Sequence, residues 1–332
     1  MATLGGTFVD LIDVYKQQDG KGNIIPVIEM LAEMNPILQD ALAVECNRGT
    51  RHLHAVRSGL PSVAWGKLYA GIAQSKSGRV QVEDTTGFVE ALSSVDTRLL
   101  ALSGNPAALR LSEAQAFMES MNQEVGSKIF YGNTASDPEE FMGLAPRYND
   151  LSATNGNQII DAGGTGSDNT SIWFVTWGDN QTQLLYPQGT SAGLSREDKG
   201  EQRVLDSEGN PYFVKEELFR WHIGLAVKDW RYNSRIANID VSKMQDGTTN
   251  LYTFLRKAYY KLWNRRVAGG KISLYCNRDV LEALDALATN AGATDNFVRL
   301  KHTEVEGKEV LIYRGIPIRE TDALLNTESL VT

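Results

Sequence analysis

Gly189-Thr190-Ser191-Ala192-Gly193 has the Gly-x-Ser-x-Gly spacing of a nucleophile elbow. That chemistry needs a buried strand ahead of the serine and a helix behind it, because the helix start helps to stabilise the oxyanion. Here Pro187 precedes the motif and the polar run Leu194 to Gly200 follows, with only His222 or His302 to supply a base, so the spacing predicts a Gly-rich loop. His52 and His54, two apart on an extended chain, present two imidazoles on one side, as a zinc site would want. Only Cys46 lies near them, which favours polar contacts at a surface or interface. Gly163-Gly164-Thr165-Gly166 lacks both the Lys-Ser/Thr of a phosphate loop and a strand running into it, and reads as a flexible connection. Lys257, Lys261 and Arg265, beside Arg256 and Arg266, form a basic stripe at i, i+4, i+8. Such a stripe can touch nucleic acid or complement a helix C-terminus. Salt bridges within or between subunits are the expected use. No set of residues amounts to a catalytic, metal or cofactor site.

The elements that would position these residues begin with an N-terminal stretch, Pro26 to Ala43. Its apolar residues Val27, Met30, Leu31, Met34, Leu38 and Leu42 follow a 3–4 spacing interrupted at Pro36, as in an arm with a broken helix. Residues 57–86 read as a long hairpin with Val63 and Trp65 on one strand, Val80-Gln81-Val82 on the other, and a polar tip at Ser75 to Gly78. So few apolar residues cannot hold a lone hairpin in water, which points to support from another chain. Residues 112–131 predict a helix, with a Ser112/Gln115 capping box and one stripe of Leu111, Ala114, Met118, Met121, Val125 and Ile129. Gly132 supplies its stop.

Residues 133–170 read as loop. Ile172 to Trp177 is a strand apolar on both faces, and the Asp206 to Asn210 turn predicts a second hairpin. Phe219 to Ile239 reads as one long strand with a bulge near Lys228-Asp229. A helix over 249–266, a strand over 271–276, an Asn277-capped helix to about Asn290 and a strand pair over 309–318, broken at Gly315 and Pro317, complete a compact α/β segment.

Composition bounds the function classes. The chain has 332 residues, 33 Lys plus Arg against 41 Asp plus Glu, a formal charge of −8, and 42% apolar residues. That is enough for one large domain or two ordinary ones, and it argues against disorder and against a dedicated nucleic-acid binder. Cys46 and Cys276 form no disulfide framework, as in a protein made in a reducing compartment. No basic, apolar leader opens the chain, and no run approaches the roughly 20 apolar residues of a membrane span.

Several segments, taken in order, resemble the major capsid proteins of tailed bacteriophages with the Hong Kong 97-like fold, podovirus-type. Arg57 to Val63 leading to Ser75-Lys76-Ser77 is similar to that family's extended loop. Helix 112–131 with Lys128 to Gly132 and Phe141-Met142-Gly143-Leu144 resembles its spine helix and exit. Thr170 to Gly178, Tyr186-Pro187, Gly224 to Val227 and Arg235 to Ile239 resemble its sheets. The resemblance implies an α+β fold with an N-terminal arm (1–50), an extended loop (51–87), a mainly peripheral domain (88–248) with the long strand 219–239, a mainly axial domain (249–308), and C-terminal strands and tail (309–332). The long strand precedes the helix–strand–helix block here, so a permuted connectivity is expected.

The implied function is structural. Copies close as pentamers and hexamers into an icosahedral shell around phage double-stranded DNA, in a virion built from protein made in the host bacterial cytoplasm. The implied partners are the chain itself, separate cement and scaffolding proteins, a portal at one vertex, and packaged DNA held weakly; no membrane and no cofactor are implied. Trp65, Tyr69, Lys76, Arg79 and Trp173 are the expected intersubunit contacts. Lys67 and Lys76 lie where some members cross-link to a neighbour's Asn, but no partner Asn is identifiable and cross-linking is not expected. The competing readings are a serine hydrolase around Ser191 and a soluble two-subdomain binding protein.

Overall fold

A computed structural model describes residues 35–265, 269–289, 301–305 and 308–332. At its centre lies β5 (Asn169–Trp177), every residue of which is buried. Side chains alternate across a strand. Ile172 and Phe174 therefore enter one core, while Trp173, Val175 and Trp177 enter the other. β9 (Ser234–Asp240) divides the same way, Ile236 and Ile239 against Ala237, and β10 (Lys271–Cys276) sends Leu274 and Cys276 to the first core and Tyr275 to the second. The near-continuous apolar sequence of β5 is the signature of a strand covered on both faces.

The first core is closed by α4 (Val241–Gln245), α5 (Leu251–Lys261) and α6 (Arg278–Thr289). Asn277 caps α6 as expected, its Oδ1 accepting from the Val280 N–H at 3.0 Å. α5 ends at Lys261, short of the expected 266, so Arg265 leaves the helix and the basic stripe is broken; Arg266 lies outside the described residues. β12 (Lys308–Tyr313) and β13 (Ile316–Glu320) form the expected last strand pair, turning at Arg314-Gly315, with Pro317 inside β13. β11 (Lys301–Val305), not foreseen, pairs with β12.

The second core lies under the C-terminal half of α3 (Pro106–Tyr131), which follows the short α2 (Thr97–Leu102). The helix begins at Pro106, not at Ser112. Asn105 is the N-cap, accepting from the Ala108 N–H at 3.2 Å, and Pro106 occupies the first turn. Ala114, Met121, Val125 and Ile129 are buried as the stripe requires, but Leu111 is exposed. The helix crosses β3 (Gly78–Asp96) and β8 (Pro211–Val227), which pair along eleven residues. β7 (Leu194–Leu205) completes the expected hairpin with β8.

The long strand 219–239 is two strands. Asp229 caps a 3₁₀ turn, Trp230–Tyr232, that lifts the chain out of β8 and delivers it to β9, on the edge of β5 opposite β10. Its first half, Phe219–Val227, does lie in the sheet beneath α3. Ahead of β2 (Arg51–Gly59), a helical turn, α1 (Ile37–Asp40), and β1 (Ala43–Glu45) lay the chain along β6 (Thr182–Tyr186). The rest of the expected arm helix, with Val27 to Met34, lies outside the described residues.

Candidate intersubunit surfaces

β2 and β3 pair from Arg51↔Thr85 to Gly59↔Gly78, and the chain between them, 60–77, has no regular secondary structure. The expected hairpin is therefore correct at its root but not at its tip. Val63 and Trp65 belong to an open loop rather than a strand. Within that loop a Ser75 Oγ–Ser62 O hydrogen bond of 2.7 Å ties the two sides. Six apolar side chains stand in solvent: Leu60, Val63, Trp65 at 98% exposure, Leu68, Tyr69 at 108%, and Ile72. Isolated exposed apolar residues are ordinary; six in one segment make a candidate contact surface. Leu60, Val63, Leu68 and Ile72 are not among the expected contacts, because no periodicity singles them out as candidates.

Trp65, Tyr69, Lys76 and Arg79 are all exposed on this loop and its root. Trp173 is not with them. It is 0% exposed in the second core, packed against Phe130 and Tyr148 with the Arg235 guanidinium 5.0 Å from its ring, and cannot reach a neighbour. A Trp in a strand covered on both faces is a core residue.

At the loop's root His52 is buried and His54 half-buried, so within the subunit neither makes the surface contact that was one of the two expected uses. His54 Nδ1 lies 3.8 Å from Asp84 Oδ2, and Arg147 Nη2 donates to Asp84 Oδ1 at 2.7 Å. Arg147 also donates to the carbonyls of Met142, Gly143 and Leu225, joining the hairpin, the exit of α3 and β8. Burial pushes both imidazoles below their ordinary value, so they are neutral; for His54 the Asp84 carboxylate opposes this and Lys228 and Arg147 reinforce it. Among the described residues no cluster of His, Cys, Asp or Glu can hold a metal. Burial raises the Cys46 thiol to about 11 and the Cys276 thiol to about 12, so neither is a ready nucleophile.

Ser191 sits in an exposed loop between β6 and β7, with Gly189 and Gly193 at φ of 79° and 99°. Strand–loop–strand replaces the strand–turn–helix of an elbow, and no oxyanion site follows. Gly163-Gly164 is a turn after β4 (Ile159–Asp161), with Gly164 N–H bonded to Asn238 O at 2.8 Å.

The description major capsid protein GP7 fits residues 19–332 as a family. The chain belongs to the major capsid protein GP7 family. A solved structure of bacteriophage Epsilon15 is similar over 100% of this capsid protein and 99% of its own chain, at 37% identity and a TM-score of 0.79. The capsid of phage JBD30 is similar at 10% identity over 86% of this chain and 89% of its own, with a TM-score of 0.46. The capsid of a native GTA particle is similar at 13% identity over 71% and 97%, with a TM-score of 0.45. Comparison with curated protein sequences returns no match. The Hong Kong 97-like α+β expectation therefore holds, and this capsid protein is a structural, non-enzymatic subunit of the virion shell that assembles with its own copies.

Proposed function

We propose that the chain assembles as pentamers and hexamers into an icosahedral shell enclosing phage double-stranded DNA. Residues 51–87 act as the extended loop lying over a neighbour, and residues 1–50 as an arm between capsomers. The platform of 88–248 is the peripheral domain with α3 as its spine. The unit around 249–308 is the axial domain, drawing strands β5 and β9 from earlier in the chain; of the C-terminal strands and tail, 309–332, the strands complete its sheet and the tail returns to the platform. The single observation that carries this reading is the loop 60–77, whose apolar side chains find no cover among the described residues. The place of Phe219–Val227 beneath α3, ahead of the helix–strand–helix block in the chain, supports a capsid architecture wired in a different order.

Burial is worth about 25 cal/mol per Å² before association costs, so several modest interfaces sum to a stable lattice while each stays reversible. The net charge of −8 suits a container that holds DNA weakly. Scaffolding and cement proteins act as separate chains and a portal occupies one vertex, the subunit being made in the host cytoplasm without loop cross-links through Lys67 or Lys76. Electron microscopy of the purified protein tests the reading. Uniform shells or capsomers are expected; a monodisperse monomer of 36.6 kDa would overturn it.

A further inference from the structure

The β12–β13 turn has positive φ at two successive residues, 52° at Arg314 and 85° at Gly315. That is the pattern of a type I′ hairpin turn, whose first position favours Asn, Asp or Gly because a side chain there crowds its own backbone. Arginine bears that cost here, and its guanidinium is held firmly. It lies 5.4 Å from the ring centres of both Tyr259 and Tyr260 and 5.7 Å from that of Tyr313, and it donates to Tyr260 Oη at 3.1 Å. Arg265, past the end of α5, stacks on the same pair at 5.6 and 5.1 Å. Trp263 stands beside them, its ring under Arg231 at 4.6 Å. Tyr260 is 59% and Trp263 64% exposed, and these side chains line an open groove of about 500 Å³.

Among the described residues neither Arg265 nor Arg314 is paired with a carboxylate. Stacking engages the faces of a guanidinium and leaves its in-plane N–H groups for a planar acceptor, at Arg314 those other than the one given to Tyr260 Oη. Trp, Tyr and Arg are the residue types that dominate binding energy at protein interfaces.

We infer that this groove is an interface with a second copy of the chain and receives a carboxylate-bearing segment of that copy between Arg265 and Arg314. The inference rests on the shell reading and deepens it. A shell brings identical subunits together, and a chain with 41 acidic against 33 basic residues offers carboxylates on the facing side. Nucleic acid is the competing occupant, since exposed rings beside arginines stack on unpaired bases. A duplex keeps its bases stacked on one another and would leave Tyr260 and Trp263 without a partner.

Arg314→Gly separates these cases because it relaxes the turn while removing the fork. The unassembled variant should melt at or above the wild-type temperature, while the subunit concentration needed for assembly rises about tenfold. Arg265→Ala should shift assembly in the same direction, and Arg314→Lys, which keeps the charge without the fork, should recover only part. An unchanged assembly threshold in Arg314→Gly and Arg265→Ala, beside a wild type that assembles, overturns the inference and leaves the shell reading standing. So does a melting temperature that falls in step with assembly, which makes Arg314 an internal brace. Normal shells with altered DNA content would give the groove to nucleic acid. A wild type that never assembles removes the shell reading and this inference together.

Discussion

Asp40 ties the start of the described chain to the sheet. Its buried carboxylate accepts from Lys271 Nζ at 2.5 Å, from Ser273 Oγ and Tyr275 Oη at 3.1 Å, and from both Nε and Nη2 of Arg319 at 3.0 Å. Burial alone would raise its carboxyl; Lys271 and Arg319 more than offset this and hold it below the ordinary 3.8. The stability this contributes is therefore complete above 3.8 and lost as pH falls through the lower value of the folded chain. Asp40→Ala leaves two cations and two hydroxyls without their acceptor and should cost about 3 kcal/mol, read as a lower urea midpoint of the unassembled subunit at neutral pH. The histidines at the loop's root carry a different pH signature. Held neutral by burial beside Asp84, Lys228 and Arg147, they favour the folded state above 6.5, and that share is lost as pH falls below 6.5, where the unfolded chain takes up more protons. A His52→Gln, His54→Gln double variant should flatten the fall of the urea midpoint just below 6.5. At this scale the Asn277 cap was legible because a cap is a local hydrogen bond. The burial of His52 and half-burial of His54 were not, because the groups that meet at this root, Asp84 and Arg147, lie 30 or more positions away in sequence.

The exit of α3 shows how an element depends on backbone rather than side chains. Gly143 N–H bonds Gly132 O at 2.8 Å and Leu144 N–H bonds Ile129 O at 2.9 Å, so the returning segment caps the helix. A Cβ on Gly143 would meet Lys128 O at 2.7 Å and the Gly132 nitrogen and Phe130 oxygen at 2.9 Å. All three are backbone atoms that cannot rotate away. Gly143→Ala should therefore destabilise the subunit by about 3 kcal/mol, seen as lost soluble yield and a lowered urea midpoint. The β7–β8 hairpin, β10 and α6 could be read from turns, alternation and a cap. The start of α3 could not, because Ser112 and Gln115 imitate a capping box inside a helix already begun at Asn105-Pro106. The parity change at Trp230 and Tyr232 was a real signal, but it marks a 3₁₀ turn between two strands rather than a bulge within one. Sequence periodicity reports the phase of the side chains and not which neighbour the strand will pair with next.

At the scale of the whole molecule, the subunit is divided between parts that bury themselves and a part that does not. Two cores flank β5, each fed by alternate residues of the same strands, and they hold most of the largest buried side chains, while Phe219 and Leu109 pack in smaller clusters beside α3. The loop 60–77 contributes to neither. The Gly59↔Gly78 pair closes the hairpin below it, so the loop can be replaced by a short turn without disturbing the register of β2 and β3. Removing residues 61–76 should leave the unfolding free energy of the unassembled subunit, read from urea titration, within about 0.5 kcal/mol of wild type, because exposed side chains add little to folding. The same deletion should abolish shell formation in sedimentation and electron microscopy, because the apolar surface it removes is stabilised only against a neighbour. Shells of normal yield and shape from the deleted chain would mean that the loop's apolar residues serve something other than subunit contact. Such shells would shift the burden of assembly onto the platform and the arginine–tyrosine groove.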